Sequence, residues 1–180
     1  VLNSPDAGVA ERSVADLAYH AAFLDALGAP EDARIVLHVG GRYGDAAAAV
    51  ERFRKRYKKL PRAVQRRLVL ENDEHNFSID AVVALCRELG CPAIMDVFHH
   101  SINPAPEGSE ADWLEAAART WSGAAGVPKI HYSQQLPGGR PGMHSQSITA
   151  REFVGWYRSL PDIPFDIMLE VKDKNRSALK

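Results

Sequence analysis

Cysteine is scarce: Cys86 and Cys91 are the only two among 180 residues. A disulfide framework is therefore excluded as the basis of the fold, and so is a thiolate-ligated zinc knot. Both thiols read as reduced core residues of a cytosolic protein, one in a helical pattern and one just before a strand. Long apolar runs are absent too, so neither a membrane span nor a signal peptide is expected. Charge of one sign is missing as well: 22 basic against 23 acidic side chains leave a net charge of −1. No global field favours a nucleic-acid partner, and any such case must rest on a local site. Linkers and low-complexity tracts are also lacking. What remains, 46% hydrophobic and 25% charged residues, is the composition of one globular domain spanning residues 1–180. The chain opens without Met, at Val1-Leu2-Asn3-Ser4-Pro5. That opening reads as the end of a strand running into a turn, so the numbering is expected to begin inside a fold.

Against this background five short apolar runs share one plan. IVLH ends at His38, LVLE at Glu71, AIMD at Asp96, PKIH at His131 and IMLE at Glu170. A β-branched or aliphatic run closing on one polar group describes a strand buried on both faces, with chemistry at its carboxyl end. In (β/α)8 barrels that end carries the active site. Helical spacing fills the intervals. Ser13–Leu27 predicts a helix capped by Ser13 and Asp16 and stopped by Gly28; Asp45 caps a second, running to about Lys59. Further helices are expected at Pro61–Arg67, Ser78–Leu89, Ser109–Trp121, and from Thr149 to about Ser159. Strands are placed at Ile35–Val39, Leu68–Glu71, Ala93–Asp96, Lys129–His131 and Asp166–Val171. Repeated β-α units favour a parallel sheet with right-handed crossovers. Five strands and a remnant at Val1-Leu2 are too few to close an eight-stranded barrel, so the fold class expected is α/β, an incomplete TIM barrel lacking its N-terminal strands.

The strand ends supply the candidate metal ligands. His38 precedes a double glycine that turns the backbone sharply and leaves its imidazole at the rim. Glu71 and Glu170 finish apolar strands, where an unpaired carboxylate is costly. Asp96 and His99 form a D-x-x-H at a strand end. His131 shares a strand face with Lys129, two residues away, and His144 stands in the long loop that follows. His100 should point elsewhere, and His20 and His75 read as structural. These mixed nitrogen and oxygen donors suit Zn²⁺ or Mn²⁺. They exceed what one ion needs, so a cluster bridged by Glu71 or Glu170 is expected, an arrangement suited to phosphate-ester hydrolysis.

Taken together, LVLENDE, DVFHH, PKIHYS, the downstream His144 and DIMLEVKDK resemble the UV damage endonucleases, and VLNSPD and IVLHVGGRYGD fit the same pattern. The resemblance covers essentially the whole chain in order and spacing. It implies a metal-dependent DNA repair endonuclease on a TIM barrel that hydrolyses the phosphodiester 5′ of UV photoproducts in duplex DNA. By this resemblance His38, Glu71, Asp96, His99, His131, His144 and Glu170 would be the metal ligands. Glu71, Glu170 and Lys129 would be catalytic, the lysine carboxylated at the metal site. Glu71 and Glu170 would bridge ions, Asp96 and His131 would share one, and His99 and His144 would hold another. The cofactor implied is a divalent cluster, Mn²⁺ foremost, with Zn²⁺ or Mg²⁺ compatible. The family pattern also contains earlier strands and further histidines upstream of VLNSP. Glu74 departs from it, standing where Asp is common after END.

Damaged double-stranded DNA is the partner implied, with no membrane and no protein partner beyond what exposed sheet edges could pair with. Localisation would be cytoplasmic, or nuclear in a eukaryote. The basic run Arg52, Arg54, Lys55, Arg56, Lys58, Lys59, Arg62, Arg66 and Arg67 invites a nucleic-acid reading. A helix leaving one strand's carboxyl end, however, carries it to the opposite end of the barrel. Arg42, Tyr43 and Arg140, in loops of the catalytic face, are the better candidates for DNA contact. Two rivals remain at this point: a metal-dependent sugar isomerase on a similar barrel, and a catalytically incomplete fragment that binds metal or DNA.

Overall fold

A computed structural model describes every residue except Ser122 and the side chain of Ala124. Five four-residue strands, β1 (Ile35–His38), β2 (Leu68–Glu71), β3 (Ala93–Asp96), β4 (Lys129–Tyr132) and β5 (Asp166–Leu169), form one parallel sheet in chain order. Among the described residues eight α-helices fall between and around them: α1 (Ala7–Ala26), α2 (Ala46–Tyr57), α3 (Arg62–Arg67), α4 (Ile79–Leu89), α5 (Val97–Ile102), α6 (Glu110–Ala118), α7 (Ala150–Tyr157) and α8 (Asn175–Ala178). Among the described residues β1 and β5 are not paired with each other. The sheet is an open arc of an α/β barrel.

Strand alternation divides the arc into two faces. Leu68, Leu70, Ala93, Met95 and Ile130 pack outward, and a single core joins them to Phe53, Val64, Val82, Val83 and Leu114 on the helices. The inner face holds a much smaller cluster, Val69, Ile94 and Trp121. Inner-facing Val36 and Met168 are 38% and 57% exposed, because the sheet does not curl back over them. Register then aligns the strand ends. His38 lies opposite Glu71 and Asp96 opposite His131. β3 sets Ile94 beside Glu71, and β5 sets Met168 beside His131. Asp96 and Glu170 thus each lie two positions further along. Such stagger accompanies strand tilt in a barrel and keeps the polar ends level.

Several boundaries differ from those expected. Val1-Leu2 is not strand: Val1 and Ser4 close a turn, Ser4 N donating to Val1 O at 3.3 Å, with Leu2 fully buried. α1 begins at Ala7, six residues before Ser13, because Asp6 is the cap and its Oδ1 accepts from Val9 N at 3.0 Å. Ser13 sits inside the helix, its hydroxyl donating to Val9 O. α5 was not anticipated. It starts directly at the end of β3, where Asp96 Oδ1 accepts from His99 N at 2.7 Å. β5 ends at Leu169, yet Glu170 N still donates to Tyr132 O at 2.9 Å and holds Glu170 at the sheet's edge. The turn after β1 depends on Gly40, whose φ of 109° suits no other residue and where a side chain would overlap Val1 and Asn3.

Most of the basic run is engaged in structure. Arg54 pairs with Glu51 and Glu88, and Lys58 with Glu88. Arg52 donates to Asn3 O, and Arg56 to Leu2 O and Ser4 O, tying α2 to the opening turn. Arg67, 7% exposed, donates to the carbonyls of Ala29, Pro30 and Ala33 and pairs with Asp25 at 2.8 Å. Truncating it removes the donor that three carbonyls and Asp25 share, and leaves its own buried place empty. Arg67→Ala should therefore cost about 1–3 kcal/mol in urea unfolding, whereas exposed Lys55→Ala should stay within about 0.5 kcal/mol. Equal effects would show that Arg67 does not organise the loop after α1.

Candidate metal centre

β1, β2, β3 and β4 each end on, or within one residue of, a metal-capable side chain, and Glu170 follows β5. The side chains converge. His38, Glu71 and His99 form one group with ligand atoms all within 4.8 Å of one another, and Glu71, Asp96, His131 and Glu170 form a second. Glu71 is common to both, as a bridging carboxylate would be. His38 Nε2 lies 3.4 Å from Glu71 Oε2. His131 Nδ1 sits between two carboxylates, 2.8 Å from Glu71 Oε1 and 3.0 Å from Glu170 Oε1. His144 stands at the edge of the ring: its ring centroid is 5.9 Å from that of His99, and its Nδ1 is 4.0 Å from Glu170 Oε2. It belongs to neither group.

Electrostatics makes this a costly arrangement. Three carboxylates converge on a site where Asp96 is completely buried and Glu71 nearly so. Burial pushes the Asp96 carboxyl up to about 6, with Glu71 and Glu170 adding repulsion against the pull of His99. Burial disfavours the His131 imidazolium, but its hydrogen bonds to Glu170 and Glu71 outweigh this and push it up to about 10. The same hydrogen bond to His131 holds Glu170 below its ordinary range. The proton on His131 is thus the positive charge that the two glutamates have at hand. Asp96 Oδ2 is buried without a hydrogen-bond partner and lies 3.7 Å from His99 Nδ1. A buried anionic oxygen left bare among histidines and carboxylates fits a divalent cation, which would replace the proton and satisfy the orphaned oxygen.

A residue that the sequence reading passed over aims the ligands. Asn72, fully buried, accepts from Asp96 N with Oδ1 at 2.8 Å and donates through Nδ2 to Asp96 O at 3.0 Å. Its own carbonyl lies 3.1 Å from His99 Nδ1. An amide bonded both ways to one backbone position locks the end of β2 to the end of β3. The signal was an Asn directly after the strand-end glutamate. Glu74 was likewise not chosen, yet its Oε2 is 3.7 Å from His99 Nε2. Lys129 is not brought into either group. It shares the inner face with His131, but its Nζ is 2.9 Å from Asp166 Oδ2 and 3.9 Å from Asp32 Oδ2, beside the Trp121 ring. His100 is buried and points elsewhere, its pKa lowered by burial. Both His20 and His75 are exposed, beside Asp16 and Glu74. Arg42, Tyr43 and Arg140 are exposed in the loops after β1 and β4. Arg42 Nε donates to Asn76 O, joining the loop after β1 to the one after β2.

Fold and donor set together define an α/β-barrel protein with a carboxylate–histidine centre at the carboxyl rim of its sheet. Comparison with known proteins narrows the class. The profile of the UV-endonuclease UvdE family matches residues 1–180, and the chain belongs to that family. A UV DNA damage endonuclease of Clostridium perfringens is 40% identical over 181 residues, covering 100% of this chain and 44% of that protein. A UV-damage endonuclease of Neurospora crassa is 34% identical over 193 residues, covering 99% of this chain and 29% of the relative. The crystal structure of SacUVDE superposes with a TM-score of 0.91 at 38% identity, over 99% of this chain and 59% of that one. The chain thus spans less than two thirds of each of these proteins.

If the ring is built for a cation, its metal-free form should be relieved by removing one charge. In chelator at pH 7.5, Asp96→Asn should raise stability by about 1–3 kcal/mol, since it keeps the cap to His99 N and loses the penalised charge. The Asp96 penalty exists above a pH of about 6 and fades as pH falls toward the unfolded value of 3.8. The advantage of the variant should therefore shrink in acid, and added Mn²⁺ should stabilise the parent more than the variant. Thermal unfolding with and without metal reads all three. Destabilisation of equal size at pH 7.5 and pH 4 would contradict the account.

Proposed function

We propose that this chain carries the catalytic rim of a metal-dependent DNA repair endonuclease that hydrolyses the phosphodiester 5′ of UV photoproducts in duplex DNA. One observation carries the reading: the buried, hydrogen-bond-free Asp96 Oδ2 within a ring of three carboxylates and three histidines, in a chain of the UvdE family. His38, Glu71 and His99 would hold one divalent ion and Glu71, Asp96, His131 and Glu170 another, with His144 closing the ring beside Glu170. The ions, Mn²⁺ foremost and Zn²⁺ or Mg²⁺ compatible, supply Lewis acidity toward a phosphate and its attacking water.

The chain's own residues do the rest. Glu71 fixes the spacing of the two positions because it belongs to both. Glu170 and Glu71 orient the His131 ring. Asn72 holds Asp96 and the loop carrying His99 in place before substrate arrives, so little reorganisation accompanies the reaction. Arg42 and Arg140, with Tyr43 between the arginine and the helix cap Asp45, offer contacts to the DNA strand on the same rim. Lys129 enters the centre only if carboxylated. As an ammonium it is held by Asp166 and Asp32; as an anionic carbamate it would be repelled by both and released toward His131. Intact mass of the metal-loaded protein should then show the gain of one CO₂ at Lys129, and an unmodified lysine would remove it from the centre.

The reading is tested on UV-irradiated plasmid with Mn²⁺, using a protein of the relatives' length that carries this segment. Glu71→Gln should lower incision at least about 100-fold, and more than Glu170→Gln, because only Glu71 belongs to both groups. Incision retained in both variants would take the ring out of the reaction.

A further inference from the structure

Tyr43 combines features that its neighbours lack. Its φ is 52°, left-handed backbone that an aromatic residue adopts only at a cost; Lys174 is the other such non-glycine residue among those described. The ring is not tucked away, since Tyr43 is 50% exposed. One side is nonetheless seated: a Cβ on Gly41 would lie 3.2 Å from the ring's Cζ and 3.3 Å from Cε2, so bare Gly41 backbone lies against it. The Arg52 guanidinium lies 5.6 Å from the ring centroid, anchored by its own bond to Asn3 O at 2.9 Å. Asn3 in turn donates through Nδ2 to Gly41 O at 2.8 Å. The loop is thus braced from below by Asn3, Gly41 and Arg52, and from ahead by Asp45, whose Oδ1 caps α2. It follows β1 directly, and Tyr43 stands five residues beyond His38.

A rigid, strained, half-exposed aromatic ring with an arginine beside it, on the rim that carries the metal candidates, is a surface for a flat π-system. We propose that Tyr43 is a stacking platform for an unpaired nucleobase, holding a base of the lesion or its partner strand out of the duplex while the phosphate lies at the carboxylate ring. This rests on the DNA-cleaving reading above and adds to it the kind of contact Tyr43 makes: the face of a base rather than a phosphate oxygen. A photoproduct lowers the cost of unstacking, so a waiting platform discriminates damaged from intact duplex.

The test separates a platform from a structural ring through the strained backbone. Glycine is unstrained at a φ of 52°, so Tyr43→Gly should fold with an unchanged or higher Tm. It should nonetheless bind UV-damaged duplex about tenfold more weakly, in the same longer protein, with the change in KM rather than kcat. A 2-aminopurine placed opposite the lesion should stay quenched on binding by the parent and brighten on binding by Tyr43→Gly, and quenching should return with Tyr43→Phe, which keeps the ring. Two results overturn the proposal: affinity and quenching unchanged in Tyr43→Gly, or losses that merely follow a lowered Tm. If the parent protein itself neither binds nor nicks irradiated DNA, the nuclease reading fails instead.

Discussion

Like charges forced together out of water are the constraint around which this structure is arranged. Glu71, Asp96 and Glu170 bring three carboxylates to one point, two of them buried. In a medium of low dielectric such a triad is stable only with positive charge among it. In the metal-free protein that charge is the His131 proton, bonded to Glu71 and Glu170 and pushed up to about 10. It reaches two of the three carboxylates and leaves Asp96 Oδ2 bare. A protein under selection for stability alone would carry apolar residues at these strand ends. The cluster has the donors to hold a metal ion, which would bring the positive charge that the third carboxylate lacks.

The rest of the fold follows from having to present those groups together. Parallel strands all point their carboxyl ends the same way, so one polar residue per strand end suffices to make a ring. Outward-facing aliphatics supply the core beneath the helices, leaving the inner face free for chemistry. Local devices then fix the aim: the two-way amide of Asn72 between β2 and β3, the Asp96 cap that starts α5, and the glycine turn that follows His38. Asp96 serves twice, one oxygen capping a helix and the other turned into the ring.

Much of this was legible in the sequence because it is written in short-range pattern. Apolar runs closing on a polar group located all five strands, Asp45 and Thr149 stand at the caps where expected, and the helices expected from Ser78 and Ser109 begin one residue later with those serines as caps. The ring was anticipated from those endings together with the family resemblance. What escaped were matters of spatial partnership. Nothing local distinguishes Asn72 from any polar residue after a strand; its role appears only when β2 and β3 lie side by side. Lys129 shares a strand face with His131, which alternation predicts, but the direction of its long side chain is decided by Asp166 and Asp32 from other segments. The start of α1 was misplaced because Asp6 follows Pro5 in a stretch too mixed in polarity for periodicity to register.

The central claim is that the ring is a two-position metal centre sharing Glu71. Crystals of a protein of the relatives' length, soaked in Mn²⁺ or Zn²⁺ and measured on either side of the corresponding absorption edge, test it most directly. The account predicts two anomalous peaks, one among His38, Glu71 and His99 and one among Glu71, Asp96, His131 and Glu170. Anomalous density absent from the ring while the crystals bind metal elsewhere would contradict it.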